Sequence, residues 1–192
     1  MRLLALLSVV AVFAAAIPAA THAGFMLDPI TKRPLVNRGG FSGGSSPIKK
    51  KIVENPGKYS PGTIVVNTTE RRLYLIQPDG KAIKYGIGVG REGFQWGGTH
   101  SITMKREWPD WRPPEQMLKR RPDLPRFMPG GPNNPLGARA LYIGSTIFRI
   151  HGSNEPQTIG QAVSSGCFRM SNQDVVDLYD RVKIGARVVI LR

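Results

Sequence analysis

The sequence predicts a mainly β fold with a few short helices, and three observations carry that prediction. β-Branched and apolar residues fall in short runs, at 63–67, 72–77, 81–89, 101–105, 140–143, 146–150 and 186–191. Turn residues punctuate them, as Pro78-Asp79-Gly80 does between the second run and the third. Helical periodicity is scarce, with one stretch near the C-terminus combining a cap and a one-sided apolar face.

Taken in chain order, the first element is not part of the fold. Arg2 precedes an apolar run over 3–17, followed by Pro18 and Thr21-His22-Ala23, the arrangement of a cleaved export signal over 1–23. That run is shorter than the roughly 20 apolar residues a bilayer core demands, so no stable membrane span is expected after cleavage. No cysteine stands near the cut to carry a lipid. From 24 to 58 the composition turns to Gly, Ser, Pro, Lys and Arg, with Asn37-Arg38-Gly39-Gly40 near its centre. Too little apolar surface is available there to offset the entropy of ordering, and a flexible basic tether is expected. Residues 59–192 suit one domain with one core.

Within that domain, runs 63–67, 72–77 and 81–89 make a three-stranded meander. The runs at 101–105, 140–143 and 146–150 continue the strand pattern, and 186–191 supplies a last strand after Gly185. The main helix is expected over 171–183: Ser171 can cap it, Asp174 holds the capping-box acid position, and Val175, Tyr179 and Val182 line one face. Shorter helices are expected at 114–121 and 158–162. The Pro- and Trp-rich segment 107–137, with Trp108, Trp111 and Arg112, reads as an insertion forming a wall or lid over a cleft.

The chain carries a net charge of +14, and removing 1–23 takes away Arg2 alone and leaves +13. Such a balance suits nucleic acid, an anionic membrane surface or an acidic polymer. Export disfavours nucleic acid, and no basic recognition helix with interleaved aromatics is present. A single cysteine in an exported chain cannot close an internal disulfide, which leaves a thiol to be explained.

That cysteine is Cys167, in Ser164-Ser165-Gly166-Cys167-Phe168-Arg169, and sixteen positions before it His151 stands in Ile150-His151-Gly152-Ser153-Asn154. A thiol attacks a carbonyl as the thiolate, and an imidazole within hydrogen-bond reach can take its proton. Singly, each residue has a blander reading: a lone cysteine is usually a small buried hydrophobe, and a lone histidine a satisfied structural residue. Together, among small residues, they read as nucleophile and base. A turn at Gly166 can aim backbone N–H groups at a developing oxyanion, so Ser165, Gly166 and Gly152 are the expected oxyanion and substrate-binding positions. Arg169 can hold a carboxylate in its planar fork, the competing reading being an ion pair with Asp174. A backbone carbonyl near Gly152 or Ser153 is the expected orienting group for His151. Gly88-Val89-Gly90-Arg91-Glu92-Gly93 spells a dinucleotide fingerprint, but Phe94-Gln95-Trp96-Gly97-Gly98 follows it where a helix should open. His100, His151 and Cys167 show no short metal-ligand spacing, so neither cofactor nor metal is expected.

The His151 and Cys167 stretches resemble the two-part signature of the L,D-transpeptidases, the YkuD-type cysteine enzymes of the bacterial cell wall. The likeness extends through Gly86-Ile87-Gly88-Val89-Gly90, Trp108-Pro109, Pro113-Pro114, Pro129 to Gly137 and Leu141-Tyr142-Ile143-Gly144, and so covers roughly 60–192. The order of the blocks is most similar to the Gram-negative subgroup that cross-links the wall or anchors outer-membrane proteins. Many members carry histidine where this chain has Ser165, which leaves the base role to His151 alone. The resemblance implies a β-sandwich of mixed sheets and a periplasmic enzyme that attacks peptidoglycan tetrapeptide stems through a thioester. It implies acyl transfer to an amine of another stem or of an outer-membrane protein or lipoprotein, and acylation of Cys167 by carbapenems. It also implies that Arg169 faces the substrate. Two alternatives remain open: a cysteine carboxypeptidase or amidase that releases product to water, and a non-catalytic peptidoglycan-binding module.

Overall fold

The computed structural model describes residues 36–37, 40–41 and 45–192. The expected signal at 1–23 and most of the expected tether lie outside the described residues. Strands β1 (Val36–Asn37) and β2 (Gly40–Phe41) pair antiparallel with each other.

Nine strands form one mixed sheet. Its first half holds β3 (Lys51–Glu54), β4 (Ile64–Asn67), β5 (Arg72–Ile76) and β6 (Lys81–Gly86), with β4, β5 and β6 as the expected antiparallel meander. The other half holds β9 (Arg139–Ile143), β10 (Arg149–His151) and β12 (Phe168–Arg169). The long β8 (Gly98–Glu107) and the last strand, β13 (Arg187–Leu191), join them, giving the order β12-β10-β9-β8-β13-β4-β5-β6-β3. β13 runs parallel to β4, β10 runs parallel to β12, and the other neighbours are antiparallel. The register of β8 shifts between Ile102 and Met104, a bulge of the kind that bends a strand where it passes from one set of partners to another.

Both halves feed one core. Ile64, Leu73 and Tyr85 from the first pack with Ile102, Leu141, Ile150 and Phe168 from the second, and Val175 and Leu178 of helix α2 (Asn172–Arg181) join them. The mainly β class with few helices therefore holds. A smaller cluster of Val65, Tyr74, Ile76 and Ala82 covers the other face of the meander.

The capped helix forms as its signals dictate. Ser171 Oγ accepts from Asp174 N at 3.1 Å and donates to the Asp174 carboxylate at 2.8 Å, so cap and carboxylate hold one another. Helix α1 (Glu115–Arg120) starts after Pro114 and buries no residue.

Three local expectations change. Residues 51–54, expected in the tether, form β3 on the edge of the sheet against β6, because Lys51-Ile52-Val53-Glu54 finds an unpaired strand to extend. Ile48, just before it, sits against Gly86 and Gly160, where a Cβ on either glycine would collide with it. The strand expected over 146–150 begins only at Arg149, since Thr146 is drawn into a turn by its hydroxyl bond to Ile143 O at 2.6 Å. The helix expected over 158–162 is a 3-10 turn at Pro156–Thr158, followed by β11 (Ala162–Ser164), which pairs parallel with β7 (Val89–Gly90). Val89–Gly90 is thus strand, and the G-x-G-x-x-G stretch opens no helix.

Candidate active site

The parallel pair β10 and β12 builds the site. Ile150 pairs with Phe168 and His151 with Arg169. Side chains alternate across a strand, and Ile150 and Phe168 point into the core, 0% and 1% exposed. Arg149, His151 and Arg169 therefore share the opposite face, as does Cys167, one residue before β12. All four line a single cleft of about 560 Å³, together with Ser164 and Ser165. Sixteen residues apart in sequence, Cys167 and His151 reach one cleft because the 152–166 segment returns the chain to the adjacent strand.

A second layer of bonds fixes the turn that carries Cys167. Gly166 has φ +106°, which glycine tolerates, and a Cβ there would press on the Phe148 ring. Its N–H donates to Ser164 Oγ at 3.1 Å, and Ser164 Oγ donates to Cys167 O at 2.6 Å. Its carbonyl accepts from Trp96 Nε1 at 2.7 Å. The Trp96 ring stacks on Phe148 and Phe168, with centroids at 4.5 and 5.6 Å, so the turn that carries Cys167 rests on an aromatic pile. Arg91 N donates to Ser164 O at 3.0 Å, which ties the turn to the loop after β7.

His151 is buried, and its Nδ1 lies 2.5 Å from Gly152 O. A carbonyl can only accept, so Nδ1 carries the proton and Nε2 presents a lone pair. Gly152 N donates to Arg139 O at 3.0 Å. Asn172 Oδ1, which accepts from Ala138 N at 2.9 Å, occupies the space a Cβ on Gly152 would need. The N–H groups of Gly152 and Gly166 are both committed within the fold. These glycines shape the site, one by turning the histidine and one by bending the cysteine loop, and Ser165 is the member of the expected oxyanion set that lines the cleft.

Burial pushes the Cys167 thiol above its ordinary value, against a backbone hydrogen bond from Arg149 and the charges of Arg149 and Arg169. Burial likewise lowers His151 to about 3, with Gly152 O opposing and the two arginines assisting. Both shifts favour the neutral forms at neutral pH over an ion pair.

Arg169 Nη1 pairs with Glu155 at 2.9 Å, so its acidic partner is Glu155 and not Asp174. Segment 107–137 walls the cleft through Trp111, Met117, Leu124 and Met128. Trp111 and Met128 exchange backbone bonds at 2.8 Å, and the Asn134 amide donates to Pro109 O, Met128 O and Pro129 O, lashing both limbs together. Trp108, at φ 41°, turns the chain into this segment. His100 stands apart from the cleft, its ring edge-on to Trp96 at 5.3 Å. Sequence reasoning missed Trp96, Arg149, Ser164, Glu155 and Asn172. Of these only Trp96 left a trace, as a lone indole among glycines.

Comparison with known proteins bears on the family and the fold. The family model of the L,D-transpeptidase catalytic domain, YkuD, matches residues 61–190. A probable L,D-transpeptidase ErfK/SrfK of Escherichia coli strain K12 is 41% identical over 137 residues, covering 67% of this chain and 43% of its own. The chain thus spans under half the length of that relative. A crystal structure from Brucella melitensis, described as a probable carnitine operon oxidoreductase caia, is 46% identical with a TM-score of 0.50, covering 74% of this chain and 93% of that one. An L,D-transpeptidase from Mycobacterium smegmatis, 16% identical, shares the fold with a TM-score of 0.54 over 68% of this chain and 58% of its own.

Proposed function

The chain belongs to the YkuD family of L,D-transpeptidase catalytic domains, and on that footing we propose that it transfers the acyl group of a peptidoglycan tetrapeptide stem to an amine through a thioester on Cys167. The observation that carries the reading is the pairing of β10 with β12, which turns Cys167 and His151 toward one cleft.

The mechanism follows from the neutral pair. As the scissile amide carbonyl of the stem's third residue, a diamino acid, approaches Sγ, the thiol proton passes to His151 Nε2 and the sulfur attacks. The Gly152 carbonyl holds Nδ1–H throughout and so favours the imidazolium that forms. The developing oxyanion is met by the Ser165 hydroxyl and the Cys167 N–H, since the Gly152 and Gly166 donors are used internally. The C–N bond breaks, and the imidazolium gives its proton to the departing amine of the terminal D-alanine. An incoming amine then attacks the thioester, His151 takes its proton, and the C–S bond breaks as the proton returns to sulfur. A second stem as acceptor yields a 3→3 cross-link, and an outer-membrane protein or lipoprotein yields an anchored product.

The basic surface suits a carboxylate-bearing wall polymer, and the apolar wall from 107–137 lowers water activity around the thioester, which favours an amine acceptor. The same reading sets the chain in the periplasm after loss of residues 1–23, with 24–44 as the reach toward the wall. No metal or cofactor enters any step.

Purified protein given tetrapeptide muropeptides and an amine acceptor should form a new amide, and Cys167→Ser should reduce it by at least about 10³-fold, the scale of losing an activated nucleophile. Incubation with a carbapenem should add one drug mass to the wild-type chain and none to Cys167→Ser. Undiminished amide formation by the variant refutes the nucleophile, and hydrolysis without amide formation makes the protein a carboxypeptidase.

A further inference from the structure

We propose that Arg149 is a specificity-determining residue that binds a free carboxylate of the acyl-donor stem beside the scissile carbonyl. The proposal rests on the function argued above, and deepens it by naming the group that selects the substrate.

Four arginines line the cleft, against one carboxylate, Glu155. Three of them already have acidic partners: Arg169 pairs with Glu155 at 2.9 Å, Arg121 with Asp123 at 2.6 Å and Arg112 with Asp110 at 3.9 Å. Arg149 has no ion pair among the described residues. Its guanidinium lies over the ring of Tyr142, 5.1 Å from the centroid, and Tyr142 is its direct cross-strand partner on β9. Its Nε is buried and has no hydrogen-bond partner among the described residues. With Nε withdrawn from water and unmet, the guanidinium charge is uncompensated until an anion reaches the side of the fork that lines the cleft. The ring fixes the plane of the fork without using its hydrogen-bond donors, which is the preorganisation that two-point carboxylate binding needs.

Position supplies the rest. Arg149 precedes His151 by two residues on the same strand and face, and the register sets it across from Cys167, whose sulfur its own backbone N–H approaches. A carboxylate held there lies next to the carbonyl under attack. In a tetrapeptide stem two carboxylates lie that close: the C-terminal one of the departing residue and the side-chain one of the diamino acid. Both offer the same chemistry to the fork.

Two measurements on the full chain test this. Cys167 is the sole cysteine, so alkylation can be followed by intact mass. The ratio of the iodoacetate rate to the iodoacetamide rate should fall about 5- to 10-fold in Arg149→Gln and be largely kept in Arg149→Lys, as loss of one charge-assisted bond demands. An unchanged ratio in Arg149→Gln overturns the proposal. The second measurement uses four stems, with the C-terminal carboxyl free or amidated and the diamino acid carboxyl free or amidated. Wild type should lose kcat/KM, mainly through KM, on amidation of one of the two, and Arg149→Gln should be blind to that change, which identifies the carboxylate bound. A preference that survives in Arg149→Gln overturns the assignment. If wild type turns over no stem while the alkylation ratio behaves as expected, the proposed function fails and the carboxylate site stands.

Discussion

Cys167 and His151 are held in a wall of the protein that favours neither charge, and this decides how the thiol should titrate. With the thiol raised by burial and the imidazole lowered to about 3, neither group is ionised at neutral pH. Alkylation of Cys167 by iodoacetamide, with no substrate bound, should therefore rise with pH through and beyond the ordinary thiol value of about 8.5 and show no shoulder on the acid side. A plateau between about pH 5 and 8, the mark of a thiolate paired with imidazolium, would contradict the neutral pair. Trp96 offers a second test at this scale. Trp96→Phe keeps most of the stacking on Phe148 and Phe168 but removes the bond to Gly166 O. Amide formation should drop about tenfold with little change in melting temperature, since one neutral hydrogen bond contributes about 1 kcal/mol and here it fixes the nucleophile turn. The placing of Cys167 and His151 in one cleft, and the Gly152 carbonyl against the ring, were legible in the sequence because the two residues stand together in short runs of small residues that a strand end and a turn can bring close. Trp96 and Asn172 were not, because they act through bonds that close only when segments 70 and 34 residues apart meet, and Ser164 was not, because its hydroxyl meets Gly166 N and Cys167 O only once the turn is folded.

At the scale of elements, helix α2 is the best-secured piece. Tyr85 OH donates to Asp177 at 2.7 Å, Arg181 and Lys50 both pair with it at 3.0 Å, and Lys105 Nζ donates to Tyr179 O and Val182 O near the helix's C-terminal end. Burial works against the Asp177 charge, but the bonds from Arg181, Tyr85 and Lys50 hold the carboxyl down to about 2. A carboxyl lowered on folding stabilises the fold above its unfolded value, near 4, and loses that contribution as pH falls toward about 2. Asp177→Asn should cost about 1 to 2 kcal/mol at pH 7, allowing for solvent screening, and the gap to wild type should close on acidification through that window in urea melts. A gap that persists at pH 2 would assign the effect to packing. The cap and apolar face of α2 were written in consecutive residues and so were readable. β7, β11 and β12 were not, since strands of two or three residues exist only through their partners.

For the whole molecule, the boundary of the folded unit lies earlier than composition suggested. Residues 45–54 read as tether by their Ser, Pro and Lys, yet β3 extends the sheet and Ile48 fills the gap left by Gly86 and Gly160. A chain starting at residue 59 loses both, along with the Lys50 pair on Asp177, and should melt about 3 to 8 °C below one starting at residue 45, as a loss of about 1 to 2 kcal/mol dictates for a domain of this size. Equal melting temperatures would return those residues to the tether. The meander, the C-terminal strand and the β class were legible from local pattern, whereas this join depends on which sheet edge is left open, a property no single segment carries.

The parallel contact between β10 and β12 also separates two things that primary structure fuses. Alignment of Cys167 with His151 is secured by backbone pairing on either side, so the outward-facing stretch 154–158 in the middle of the crossover is the part free to vary between fixed anchor points. Lengthening or recharging that stretch alone would retune what the cleft admits while leaving Cys167 and His151 in register, which makes it the natural place for lineages, or engineers, to diversify the protein.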